Sequence, residues 1–456
     1  MVFSSLLFIF RFMIIFYLIY YIAPIHLRNL ILLIGSLIFY AWGEPRYLIL
    51  ILLSIFINFC LGKGIEKYWE SKKKLACLMG AVLYNIGMLF LFKYAGFFID
   101  MISVATGRRL PTLEMDLPLG ISFYTFQILS YVIDVYKGSI QAETSIIRLG
   151  TYLCMFPQLI AGPIVIYKDV ETQMRKRKYC IENFEEGLKE FSIGLASKVL
   201  LANQIGYLWS ELEQAGYQGI STLAAWLGVL AFTLQIYFDF FGYSKMAVGL
   251  GKMLGFQLPQ NFDYPYISRS ATEFWRRWHI TLGAWFREYL YVPLGGNRKG
   301  RTRTYMNLLV VWSVTGLWHG ASWNFVLWGV YFYIFISLEK LYLKKWLDRS
   351  NIASRVYALL IIGLGWIIFA LTDFKDMKNY FSTLFSLTGG SDWIYYIRNY
   401  GLLLVMGIIF STPILRKWYE KQKDKWIGIS AVFLLFWASI YFLVDTAYNP
   451  FLYFRF

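Results

Sequence analysis

From MVFSSLLFIFRFMIIFYLIYYIAP at its start to WIGISAVFLLFWASIYFLVD at 426–445, the chain is written in long apolar runs separated by short clusters of lysine and arginine. This pattern constrains the fold more than any motif does. A run of about 20 apolar residues crosses the hydrocarbon core as a helix, because lipid offers backbone N–H and C=O groups no partner outside the segment. With 58% hydrophobic and only 16% charged residues, 456 residues have too little polar surface for a soluble fold. The expectation is an all-α polytopic membrane protein, a single domain over 1–456, with about eleven to thirteen crossings or half-crossings. N-terminal spans fall near 5–24, 29–42, 46–62 and 75–97, within 1–100, and further spans near 184–208 and 221–254. A further span falls near 323–343, and C-terminal spans, within 355–446, near 355–372, 399–415 and 426–445. The first run has no basic stretch before it and no small-residue cleavage site after it, and reads as a retained span.

The 44 Lys+Arg exceed the 28 Asp+Glu by 16. In a soluble protein that excess would point to nucleic acid. Here the cations sit in loops between apolar runs, the distribution that sets topology and contacts anionic lipid, so no nucleic acid is expected. Placing the loop with Lys63, Lys67, Lys72, Lys73 and Lys74 inside puts the N-terminus outside, along with 98–117, SELEQAGYQG and 373–398. Were 117–136 and 151–167 both to cross, the basic stretch Lys168–Lys178 would lie outside, against that rule. One of them is therefore expected to be re-entrant, and Pro157, Gly162 and Pro163 interrupt the second.

Cys60, Cys77, Cys154 and Cys180 have no metal-ligand spacing, and His26, His279 and His319 are far apart in sequence. No HExxH, GxSxG or P-loop pattern is present, so no metal site is expected. Gly249, Gly251 and Gly255 in GLGKMLG read as close helix packing. Gln235 and Asp239 share one face of the 221–254 helix, and a charge at membrane depth should face the protein interior.

Chemistry concentrates in 221–330, above all in TEFWRRWHITLGAWFREYLYVPLGGNRKG and the downstream GLWHGASWN. At helical spacing Trp275, Trp278, Leu282, Trp285, Phe286 and Tyr289 share one side and Glu273, Arg276, Arg277, Arg287 and Glu288 the other, with His279 at the border. This predicts one amphipathic helix over 272–289 lying at the membrane interface, ending at Pro293. A short helix over Tyr305–Thr315 then leads to His319, which is flanked by Gly316 and Gly320 and walled by Trp318 and Trp323. An imidazole in such a setting can serve as a general base near neutral pH.

WRRWHITLGAWFREYLYVPLGGNRKG and GLWHGASWNFVLWG, with PQLIAGP, YFDFFGYSKMAVGLGKMLG, LPLGISFYTFQILSYVIDVY and YAWG upstream, resemble the membrane-bound O-acyltransferase family, specifically its bacterial, alginate O-acetyltransferase-like branch. Gly283 and Phe241 stand where serine is commoner in that branch. The resemblance implies a ring of transmembrane and re-entrant helices around a central funnel, with 117–167 contributing to it, in the bacterial cytoplasmic (inner) membrane. It implies acetyl transfer from a cytoplasmic thioester to a hydroxyl of an exported polysaccharide, directly or through an extracytoplasmic acetyltransferase partner. His319 matches the family's essential histidine and His279 its second polar position. Asp239, Asn324, Trp318 and Gln235 are candidate supporting residues. Arg276, Arg277, Arg287, Arg298 and Lys299 are candidates for binding an anionic donor, acetyl-CoA or an acylated carrier, with no bound cofactor. The alternatives are D-alanyl transfer from a carrier protein to teichoic acid, and a non-enzymatic transporter or flippase.

Overall fold

The computed structural model describes residues 1–108, 110–111, 115–160, 162–217, 219–445 and 452. Part of the 98–117 segment, and Ala161 within PQLIAGP, lie outside the described residues. Among those described, regular structure is helical, apart from one isolated bridge between Phe262 and Trp278. Eight helices among the described residues are long and apolar enough to cross a membrane: Ile25–Gly43, Pro45–Lys67, Lys73–Thr106, Thr222–Met253, Trp323–Leu347, Asn351–Ala370, Asp392–Phe410 and Trp426–Asp445. The expected first span appears as the shorter apolar helix Phe8–Ile22. The fourth runs past residue 97 to Thr106, because AGFFIDMISVAT continues its apolar pattern to a left-handed Gly107.

The chain divides into two compact units, Met1–Phe191 with Met246–Pro259, and Ser192–Lys245 with Gln260–Phe456. In the first, Asn58 and Asn85 on Pro45–Lys67 and Lys73–Thr106 exchange buried amide hydrogen bonds of 3.2 and 2.7 Å. Such pairs hold helices together where apolar surface gives no preference for protein over lipid. Helix Ile121–Lys137 is enclosed almost throughout. The 151–167 segment is not one helix: Ile146–Cys154 ends at Met155, a four-residue turn Phe156–Leu159 follows with Pro157 in its first turn, and helix resumes only at Tyr167. Gly120, at φ +72°, lets the N-terminus of Ile121–Lys137 meet the Leu159 carbonyl, where a Cβ would collide. Gly187 and Gly249 make the close helix contact expected of GLGKMLG: a Cβ on Gly187 would lie 2.6 Å from the Gly249 carbonyl oxygen.

In the second unit, Arg301–His319 and Trp323–Leu338 form an antiparallel pair joined by a three-residue turn. Gly316 faces the Phe325 carbonyl and Gly329 the Trp312 carbonyl, so the two backbones touch. The first of these helices is longer than the expected Tyr305–Thr315, and His319 is its last residue. The TEFWRRWHITLGAWF stretch departs further from expectation. It is two short helices, Ala271–Arg277 and Ile280–Phe286, with extended Trp278 and left-handed His279 between them. Nor does its aromatic side lie at a membrane surface. Phe274 and Trp278 are buried, with Trp278 4.8 Å from Trp366 and Trp275 4.9 Å from Phe332. The apolar stripe that suggested an interfacial helix is a core-facing stripe.

Candidate functional site

The break at His279 is built by residues upstream. Asp263 N–H donates to the Arg277 carbonyl (2.9 Å), and Ile280 N–H to the Asn261 carbonyl (3.0 Å). This holds the chain on both sides of His279, whose φ of 45° and ψ of 53° are costly for a residue with a Cβ. The helix entering the break is anchored at its other end. Ser270 accepts from Glu273 N–H (3.0 Å), and the buried Glu339 carboxylate accepts from Ala271 N–H (2.6 Å) and Thr272 N–H (2.9 Å). A carboxylate on free N–H groups at a helix start is favoured by hydrogen bonding and by the helix dipole.

His279 and His319 line one cavity of about 260 Å³ together with Trp275, Trp278, Arg287 and Lys340. Trp318 packs against both imidazoles, its ring centre 6.0 Å from that of His279 and 4.9 Å from that of His319. Trp328 (5.1 Å) and Phe369 (5.2 Å) complete an aromatic collar around His319. The His279 Nδ1 lies 3.0 Å from Asn261 Oδ1, and burial pushes its pKa down to about 3. Its Nε2 has no hydrogen-bond partner among the described residues.

The other candidates lie in different surroundings. Asp239 is 2.6 Å from Lys198 Nζ in a fully buried ion pair and accepts from Leu452 N–H (2.9 Å), so it serves an internal tie and not the cavity wall. Asn324 donates its amide to the carbonyls of Ile368 (3.3 Å) and Phe369 (3.1 Å), closing the end of Asn351–Ala370 and steadying Phe369 against His319. Gln235 is buried against Gly206. Among the candidate donor cations only Arg287 lines the histidine cavity. Arg276 is exposed, near enough to Lys340 for the two charges to repel, and Arg298 and Lys299 sit on the exposed turn before Arg301–His319.

Arg277 turns the other way, into a second cavity of about 570 Å³ with Asp263, Tyr264, Arg416, Lys417, Glu420 and Lys421. Its guanidinium is paired with Asp263 (2.9 Å) and Glu273 (3.1 Å), and Arg416 lies 3.8 Å from Glu420. Lys417 and Lys421 have no carboxylate partner among the described residues and leave this cavity net positive. Sequence reading missed Lys340 and Asn261. Lys340 sat in a basic cluster that served topology equally well, and Asn261 belongs to no motif.

One cavity thus holds two imidazoles, with the cations Arg287 and Lys340 at its wall. Residues 141–375, which contain every residue lining it, match the model of MBOAT, the membrane-bound O-acyltransferase family. The chain belongs to the membrane-bound O-acyltransferase family. It is 36% identical over 492 residues to a probable alginate O-acetylase AlgI of Pseudomonas putida, covering 100% of both chains. A probable alginate O-acetylase AlgI of Azotobacter vinelandii is 34% identical with the same complete coverage. A peptidoglycan O-acetyltransferase of Helicobacter pylori is 29% identical over 517 residues, 100% of this chain and 98% of that one. The protein is therefore a multi-pass O-acyltransferase of the bacterial inner membrane.

Proposed function

We propose that this membrane-bound O-acyltransferase moves an acetyl group from a thioester donor to a hydroxyl of an exported polysaccharide, directly or through a partner protein outside the membrane, with His319 as general base. The reading rests on one observation: His319 and His279 line a single cavity whose wall also carries Arg287 and Lys340. In the reaction the hydroxyl oxygen forms a bond to the thioester carbonyl carbon, and its proton passes to the His319 imidazole. The C–S bond then breaks and the departing thiolate takes that proton, leaving an ester and a free thiol. The acetyl-transferring relatives, similar to this chain over their whole length, favour acetyl over D-alanyl transfer and an enzyme over a transporter.

The donor's phosphates, whether of acetyl-CoA or of an acylated carrier, are met by Arg287 and Lys340 at the histidine cavity and by Lys417 and Lys421 beside Arg277 in the other. The deciding test is transfer of labelled acetyl from acetyl-CoA by purified protein in lipid nanodiscs. His319→Ala should lower kcat on the order of 10²–10⁴-fold. Full activity in that variant would sink the assignment.

A further inference from the structure

The atoms around His279 decide which of its nitrogens carries the proton. Asn261 Oδ1 receives three approaches: His279 Nδ1 at 3.0 Å, Thr281 Oγ1 at 2.9 Å and Thr281 backbone N–H at 3.3 Å. A backbone N–H can only donate, so the Asn261 atom facing it is the carbonyl oxygen and not the amide nitrogen. That same oxygen faces Nδ1, and an amide oxygen can only accept. The Nδ1 atom must therefore be protonated, and in the neutral ring Nε2 is the bare, lone-pair nitrogen. Asn261 is itself 2% exposed, and its Nδ2 has no partner among the described residues. A buried donor left unmet costs about 1–3 kcal/mol. The site retains that cost while its oxygen serves His279 and Thr281.

We propose that Asn261 is a positioning residue that locks His279 as the Nδ1–H tautomer, so that His279 presents an acceptor nitrogen to the cavity and orients the attacking hydroxyl by accepting a hydrogen bond from it. This deepens the reading of the cavity as the acyl-transfer site. It also limits the part His279 can play, since a neutral ring with a bare Nε2 has no proton there with which to steady an oxyanion. Burial, which makes His279 a poor proton acceptor, leaves it able to accept a hydrogen bond. The two imidazoles thereby divide the work, His279 aiming the hydroxyl that His319 deprotonates.

The chain has three histidines, few enough for ¹⁵N-histidine NMR of the whole protein in nanodiscs, with His279 assigned by its disappearance in His279→Gln. The wild type should show His279 with a protonated Nδ1 and a bare Nε2. Asn261→Asp, which keeps an acceptor oxygen, should preserve that signature, and Asn261→Leu should lose it. In acetyl transfer, Asn261→Leu should lower kcat by about 10²-fold with the acetyl-CoA KM unchanged, and Asn261→Asp should recover most of the loss. An Nε2–H signature in the wild type, or one unchanged in Asn261→Leu, overturns the proposal. So does full kcat in Asn261→Leu. The spectrum needs no catalysis, so failure of the acyl-transfer reading, seen as full activity in His319→Ala, is told apart from failure of this one.

Discussion

The His279 imidazole lies outside the membrane-spanning helices, and burial holds it well below the ordinary histidine value, at about 3. In an unfolded chain the same ring titrates near 6.5. Between those values the unfolded state binds a proton that the folded state refuses, so stability falls as pH drops from about 6.5 toward 3. At pH 5 this one residue should cost about 2 kcal/mol relative to neutral pH. His279→Gln, which keeps a polar side chain without a titrating ring, should therefore lose less thermal stability than wild type between pH 7 and pH 5. Equal losses in melting temperature would mean that the folded protein already admits a proton at His279. Residue types made His279 and His319 legible as candidates, since an imidazole among apolar residues is conspicuous. The contact behind their proposed division of labour was not legible, because Asn261 lies 18 residues upstream of His279.

Most of the spans could be read because hydropathy sums over a whole helix, so errors at single residues average out; the segment expected to span at 184–208 is helical but is not among the eight helices apolar enough to cross. The break between Ala271–Arg277 and Ile280–Phe286 could not be read, because the intact 3.6-residue pattern runs straight through Trp278 and His279. What bends the chain there is tertiary: main-chain bonds from 261–263 on one side and Glu339 at the start of the first helix on the other. Ser270 and Glu273 do carry a sequence signal for that start, the spacing of a capping box. Glu339 carries none, being 67 residues from Thr272. Glu339→Ala should remove the acceptor for two N–H groups and the Thr272 hydroxyl, leaving the buried Ala271 N–H and the half-buried Thr272 groups unmet. The expected loss is about 2–3 kcal/mol, seen as a lowered melting temperature in detergent. Because the anchored helix delivers Trp275 and Trp278 to the cavity, kcat should fall as well. Glu339→Gln, which keeps one acceptor oxygen, should fall less on both measures. An unchanged melting temperature in Glu339→Ala would show that the helix start is held by Ser270 alone.

Across the whole chain, the net charge of +16 was visible at once, but composition assigns it only to topology and lipid. The structure brings Arg277 together with Arg416, Lys417 and Lys421, well over a hundred residues later, in one cavity. Gathering like charges in this way is unfavourable without an anion to meet them, and the carboxylates of Asp263 and Glu420 are already engaged by Arg277 and Arg416. If these cations attract the phosphates of the donor, capture of acetyl-CoA should weaken as salt screens them. The Debye length falls from about 30 Å at 0.01 M to about 10 Å at 0.1 M. Over that range the KM for acetyl-CoA should rise about three- to tenfold with kcat unchanged. Acetyl-pantetheine has the same thioester and no phosphate, and its KM should stay flat, which separates charge attraction from any effect of salt on the enzyme. Lys417→Gln with Lys421→Gln should flatten the salt dependence for acetyl-CoA and leave that for acetyl-pantetheine as it was. A parallel rise in KM for both donors would place the salt effect on the protein or the bilayer, and these cations would then serve lipid and topology alone.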